Sequence, residues 1–204
     1  MAKRKKSSAS MTEVEWLACV DPRAMVTALR EYPRASPRVW RLFLAAYWGW
    51  QVQNLDSQRD KRKLRKRAGL IAGWAESGKK PVGVTRDEQS KVIFFHRSPS
   101  TGAVTTARYA VSNQSRVDTQ IAYLRDIFGN PFRPVALNPA WLTSDVLALA
   151  RGIYDERAFE RMPILADALQ DAGCDNADIL THCRDAKQVH VRGCWVLDLL
   201  LGKT

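Results

Sequence analysis

Apolar side chains recur at three- and four-residue intervals along most of the sequence, which is the period of helices that bury one face. The clearest run is PRVWRLFLAAYWGWQVQNL, where Trp40, Phe43, Leu44, Tyr47, Trp48 and Val52 share a stripe. A row of aromatics can stack on nucleobases, but a single stripe in a mixed apolar run fits a buried core helix better. The next segment, QRDKRKLRKRAGLIAGWAESGKK, places Leu64, Ala68, Ile71, Ala72 and Ala75 on one face and its basic side chains at the remaining angles. It reads as an amphipathic basic helix that stops near Ser77 and Gly78, because glycine suits the left-handed residue after a helix. Upstream, Thr12 and Glu15 have the spacing of a capping box. Asp21-Pro22 and Ser36-Pro37 each pair a capping residue with proline at the first helical position.

The period changes after Lys80. KVIFFHRS and AVTTARYAV are β-branched and aromatic, with Pro99, Ser100, Thr101 and Gly102 between them. They predict one small β-hairpin near residues 91–111. Helix resumes at about Asp118, and the turn-rich stretch Gly129 to Pro134 interrupts it. Short helices follow. Thr143 or Ser144 caps DVLALARGIYDERAF, and Pro163 opens PILADALQDAG, which Gly173 stops. Asp175 or Asn176 caps ADILTHCR, and HVRGCWVLDLLLGK ends with Gly202 just past its last turn. The expected fold is mainly α, a compact irregular helical domain, with a solenoid-like stack of the C-terminal helices as the alternative. The expected organisation is a disordered basic tail at 1–10, an N-terminal helical region at 11–80, a linker and hairpin at 81–117, and a C-terminal helical block at 118–204.

The 204 residues, 46% of them hydrophobic, are enough to fold around a core without disulfides. No apolar run approaches the roughly 20 residues that span a bilayer, so no membrane partner is expected. The start MAKRKKSSAS has the charge of a signal peptide without its apolar segment, so a cytoplasmic chain with reduced cysteines is expected. The net charge of +11 is unevenly spread. Residues 1–80 hold 18 Lys and Arg against 7 Asp and Glu, whereas residues 81–204 hold 14 of each. Contact with a polyanion is therefore expected at the front, through Lys61, Arg62, Lys63, Arg65, Lys66 and Arg67, and without sequence preference.

Candidate chemistry concentrates in GCDNADILTHCRDAKQVHVRGCW, whose spacing is Cys174-x7-His182-Cys183-x6-His190-x3-Cys194. Structural zinc sites usually draw on close Cys-x2–4-Cys pairs, and there is none here. Adjacent His182 and Cys183 diverge by about 100° on a helix, so only one can face a shared ion. Cys174 follows a helix-stopping glycine and Cys194 falls in line with Leu197 and Leu201, so both read as small core hydrophobes. This spacing predicts a block that folds without metal or other cofactor, with Cys174, Cys183, His190 and Cys194 as the ligand set if it binds one. Cys183 with His190 as base lacks a Cys-protease signature. Asp167, Asp171, Asp175 and Asp178 read as a solvated face, and the final Gly202-Lys203-Thr204 lacks the glycine and helix of a phosphate-binding loop.

Three stretches carry a resemblance: MTEVEWLACVDPRAM, LRDIFGNPFRPVALNPAWLTSDVLALARGIYDERAF, and PILADALQDAGCDNADILTHCR with HVRGCWVLDLLLGK. They resemble a large paralogous family of uncharacterised bacterial proteins that share an MTE-x-EWL-like start and this C-terminal helical block. The resemblance covers residues 11–50 and about 118–202, and it implies no particular activity. A module repeated among many paralogues implies partner binding rather than metabolism, and the family's starts align with Met11.

The leading expectation is a non-catalytic, cytoplasmic protein-interaction module whose partner is another protein. The alternatives are a nucleic-acid-binding accessory protein that uses the basic front, and a zinc-stabilised domain or hydrolase centred on residues 174–194.

Overall fold

A computed structural model describes residues 11–29, 32, 35–79, 81 and 114–203. These residues form a compact, mainly α structure, and among them there is no strand. The expected basic tail at 1–10 and the expected hairpin near 91–111 lie outside the described residues.

Each helix starts and stops for a local reason. Helix α1 (Glu13–Ala18) carries the capping box, with Thr12 accepting from the Glu15 amide and Glu15 accepting from the Thr12 amide. Helix α2 (Pro22–Leu29) begins where Asp21 accepts from the Arg23 amide at 2.9 Å. Helix α3 (Pro37–Gln53) is capped by Ser36, and helix α4 (Gln58–Ser77) by Ser57. Gly78 closes α4 in the left-handed conformation, at φ 65°. Helix α5 (Gln114–Phe128) starts four residues earlier than the sequence pattern predicts. Two short 3₁₀ turns, Pro139–Trp141 and Phe159–Arg161, flank helix α6 (Ser144–Glu156), which Thr143 caps.

Helix α7 (Met162–Asp171) ends as expected at Gly173, which has φ 83°. The Cys174 amide donates to Leu169 O and the Gly173 amide to Gln170 O, which together form a Schellman motif with Cys174 tucked against its own helix. Asn176 caps helix α8 (Ala177–Arg184). Helix α9 (Trp195–Leu200) is shorter than expected. The sequence HVRG does not belong to it, because Gly193 takes φ 97° and lies so close to α3 that a Cβ there would sit 2.9 Å from Leu42.

Two apolar cores result. The first joins α1 to α5, with Trp16, Trp40, Phe43, Tyr47, Trp74 and Leu124 among its buried members. The aromatics of α3 are core residues, and Trp40 packs on Phe128 with ring centroids 4.6 Å apart. Arg125 fixes α1 onto α5 by donating to Leu17 O at 2.8 Å and Cys19 O at 3.2 Å. The second core joins α6 to α9 through Val146, Ile153, Leu165, Ile179, Val196 and Leu200.

A buried polar clasp links the two cores. Arg38 on α3 forms a two-pronged pair with Asp198 on α9, at 2.6 and 3.2 Å. The same guanidinium donates to the Tyr154 hydroxyl on α6 at 2.8 Å, and Tyr154 donates to Glu76 on α4. Lys203 closes the group, 3.6 Å from Glu76 and 4.4 Å from the Tyr154 ring centroid.

Candidate metal centre

A second junction between the cores has different chemistry. Asp126 lies on α5 and is fully buried. Facing it are His182 on α8, His190 in the segment before α9, and Cys194 at the N-cap of α9. One ligating atom from each of the four falls within 4.8 Å of all the others.

Local structure explains the convergence. His182 and Cys183 diverge on α8 as a helix requires; His182 faces the cluster while Cys183 is buried in the second core. Residues 191–194 form a tight turn in which the Cys194 amide donates to Val191 O at 3.0 Å, so Cys194 folds back toward His190. The left-handed Gly193 makes that turn possible and lets it lie against Leu42. Trp195 packs on the His182 ring, with centroids 5.2 Å apart, and it also lies close to Gly129. A Cβ at Gly129 would lie 3.1 Å from the indole, so a side chain there would push Trp195 against the ligand.

The ligating atoms lie close to one another. His190 Nδ1 is 2.8 Å from Asp126 Oδ1, and His182 Nε2 is 3.2 Å from the same oxygen. His182 Nε2 lies 3.2 Å from Cys194 Sγ, and His190 Nδ1 lies 3.9 Å from it. Zinc–ligand bonds of about 2.0–2.3 Å in a tetrahedron give ligand–ligand edges of roughly 3.3–3.6 Å, so an ion would open the direct hydrogen-bond contacts by up to about 0.5 Å. The other carboxylate oxygen, Oδ2, accepts from the Val191 amide at 2.8 Å, so the backbone fixes the orientation of the carboxylate. Such outer hydrogen bonds orient metal ligands.

Burial and the two imidazoles set the electrostatics of the cluster. Burial pushes the Asp126 carboxyl up, but hydrogen bonds and charge from His182 and then His190 outweigh it, and the group sits below its ordinary value. Burial, reinforced by Asp126, pushes the Cys194 thiol well above its ordinary value. A divalent cation deprotonates a coordinating thiol outright. With one carboxylate, one thiolate and two neutral imidazoles the centre would carry no net charge, which is the condition for burying it.

Of the ligand set that the sequence spacing offered, the structure brings together only His190 and Cys194. Cys174 and Cys183 are buried in the second core, where burial pushes the Cys183 thiol up to about 12. That leaves Cys183 an inert packing group rather than a nucleophile. Sequence reasoning missed Asp126, because it lies 56 positions before His182 in DTQIAYLRDIF and nothing nearby marks it as a ligand. A usable signal was its place: a carboxylate four residues after Ala122 and one before Ile127, on a helix otherwise facing a core.

The basic positions lie elsewhere, on the first half of α4. Arg62, Lys63, Arg65 and Lys66 are exposed, whereas Lys61 and Arg67 are half-buried. They spread around the helix and form no single groove-reading row. The acidic candidates also serve the surface, with Arg184 donating to Asp167 at 2.7 Å. No family model, curated protein or solved structure matches the chain.

Proposed function

We propose that this chain is a zinc-stabilised, non-catalytic helical module in which one ion fastens α5 to the C-terminal helices. The observation that carries this reading is the convergence of Asp126, His182, His190 and Cys194 within 4.8 Å at a buried junction. Sulfur, two imidazoles and one carboxylate form a donor set that zinc accepts in tetrahedral geometry. Four protein ligands leave no open position for a water, so the centre supports structure rather than hydrolysis. Both imidazole side chains are at most 10% exposed, which keeps substrates away as well.

The test is metal content. Protein made without added metal and purified without metal-affinity steps should carry one zinc per chain by elemental mass spectrometry. Cys194→Ser and His182→Ala should reduce this to background. Metal-free protein that melts at the same temperature with and without added zinc would overturn the reading.

A module of this kind acts through its surface, and a protein partner remains the leading reading. Leu17 and Val20 around α1 are 55% and 76% exposed, and with Val189 they line a shallow furrow that Ile121 and Ala122 also line. Exposed aliphatic groups gathered around one furrow support an interaction face better than scattered single ones do. Sequence-independent contact with nucleic acid through α4 is the second reading, supported by the exposed cations Arg62, Lys63, Arg65 and Lys66 there.

A further inference from the structure

We propose that the cavity between α3 and α4 binds a small amphipathic oxyanion, with an apolar body held between the helices and an acidic head at the arginine rim. The cavity measures about 480 Å³, within the range of small-molecule sites. Small residues, including Ala45 and Gly49 of α3 and Ala68 and Gly69 of α4, line it together with larger apolar groups such as Trp50 and Phe159. Arg65, Arg157 and Arg192 also line it, and among the described residues the lining contains no Asp or Glu.

Two further observations point to an occupant. Gly49 and Gly69 lie inside helices, where glycine costs about 1 kcal/mol relative to alanine. A Cβ at either position would meet nothing within 4 Å, so close packing does not require these glycines. What they preserve is open space along the cavity wall. The second observation is Arg192. Its Nη2 donates to Tyr154 O at 3.2 Å, but its Nε is buried without a hydrogen-bond partner. The Nε is shielded from the cavity, so what Arg192 brings to the wall is the positive charge of a guanidinium that the Tyr154 carbonyl holds in place. Guanidinium groups match planar carboxylates and phosphates, and the empty wall suits a short acyl chain or ring. The metal centre plays no part in this argument, although residues 191 and 192 lie between two of its ligands.

The experiment is calorimetric titration of the full chain with octanoate, octyl phosphate and octan-1-ol, with Trp50 fluorescence as a second readout because Trp50 lines the cavity. Octanoate or octyl phosphate should bind saturably at one per chain, and the tighter of the two identifies the head group. Octan-1-ol should bind at least about tenfold more weakly, the loss expected when a charge-assisted hydrogen bond is removed. Arg65→Gln, at an exposed position, should weaken the anions and leave the alcohol unchanged. Gly49→Leu should abolish binding of all three while the melting temperature stays the same or rises, which separates a filled site from a damaged fold. Equal affinity for alcohol and anions would overturn the proposal. So would undiminished binding in a folded Gly49→Leu protein, or no saturable binding of either anion.

Discussion

Arg38 and Asp198 stand 160 positions apart in sequence and meet in a two-pronged ion pair with nitrogen–oxygen distances of 2.6 and 3.2 Å. Both side chains are mostly buried, at 14% and 9% exposure. Removing one partner strands the other in a poor dielectric, so Arg38→Met should destabilise the protein by about 3 kcal/mol. Adding Asp198→Leu should recover most of that loss, since an apolar pair can replace a buried ion pair. Urea denaturation of the two single variants and the double variant gives the coupling. Burial already holds the Asp198 carboxyl above its ordinary value, with Arg38 opposing it. Losing Arg38 raises it further, so the deficit of Arg38→Met should be largest near neutral pH and shrink as acid protonates Asp198.

Chelation should loosen the junction around Asp126. At a zinc concentration of a thousand times its dissociation constant, binding stabilises the fold by about 4 kcal/mol, or roughly 10 °C in a chain of this size. Thermal melts with and without a strong chelator should differ by about that much. Asp126→Asn keeps the shape but removes the charge that balances the ion, so its melts should nearly coincide.

Gly173 and Gly193 both have positive φ but should respond differently to alanine. At Gly173 a Cβ meets nothing within 4 Å, so Gly173→Ala costs only the conformational penalty of about 1 kcal/mol. At Gly193 the Cβ would also lie 2.9 Å from Leu42, so Gly193→Ala should cost about 2 kcal/mol or more. Gly193→Ala should also lower zinc content, because the turn aims His190 and Cys194. Paired urea denaturation and metal analysis check both expectations.

Arg62, Lys63, Arg65 and Lys66, four of the exposed cations of α4, set the scale of nucleic-acid binding. Neutralising about four phosphates gives a log–log salt slope near −3.6. Titrations on two unrelated duplexes should give equal slopes of about that size. Replacing Arg62, Lys63, Arg65 and Lys66 by glutamine should flatten them. No binding near physiological salt would leave α4 as solvated surface.

The helices were legible in the sequence because their signals are local. Thr12 with Glu15, Ser36 with Pro37, Asn176 and Gly173 each mark a boundary within four residues, and the structure uses all of them. The end of the chain misled for the same reason. HVRGCWVLDLLLGK has helical apolar spacing, but Gly193 takes a left-handed φ and lies against Leu42, far away in sequence. The metal cluster was half legible. Cys194 and His190 lie in one short stretch, and the divergence of His182 from Cys183 is real, but spacing could not say which of that pair faces inward. Packing of α8 decided it, burying Cys183 with Ile179. The fourth ligand came from α5, and only the docking of the two cores brings it there.

That docking has a consequence for inheritance. Asp126 sits on a helix whose other residues, Ile121, Leu124 and Phe128 among them, belong to the first core, while its three companion ligands belong to elements of the second. Recombination that swapped either part for a diverged copy would have to preserve the angle of α5 against α8 to within a fraction of an ångström at the ligand atoms. On the proposed zinc reading, substitutions at Trp40 or Leu42 would be filtered through metal affinity even though neither residue supplies a ligand. The two cores are free to drift only together, as one lineage.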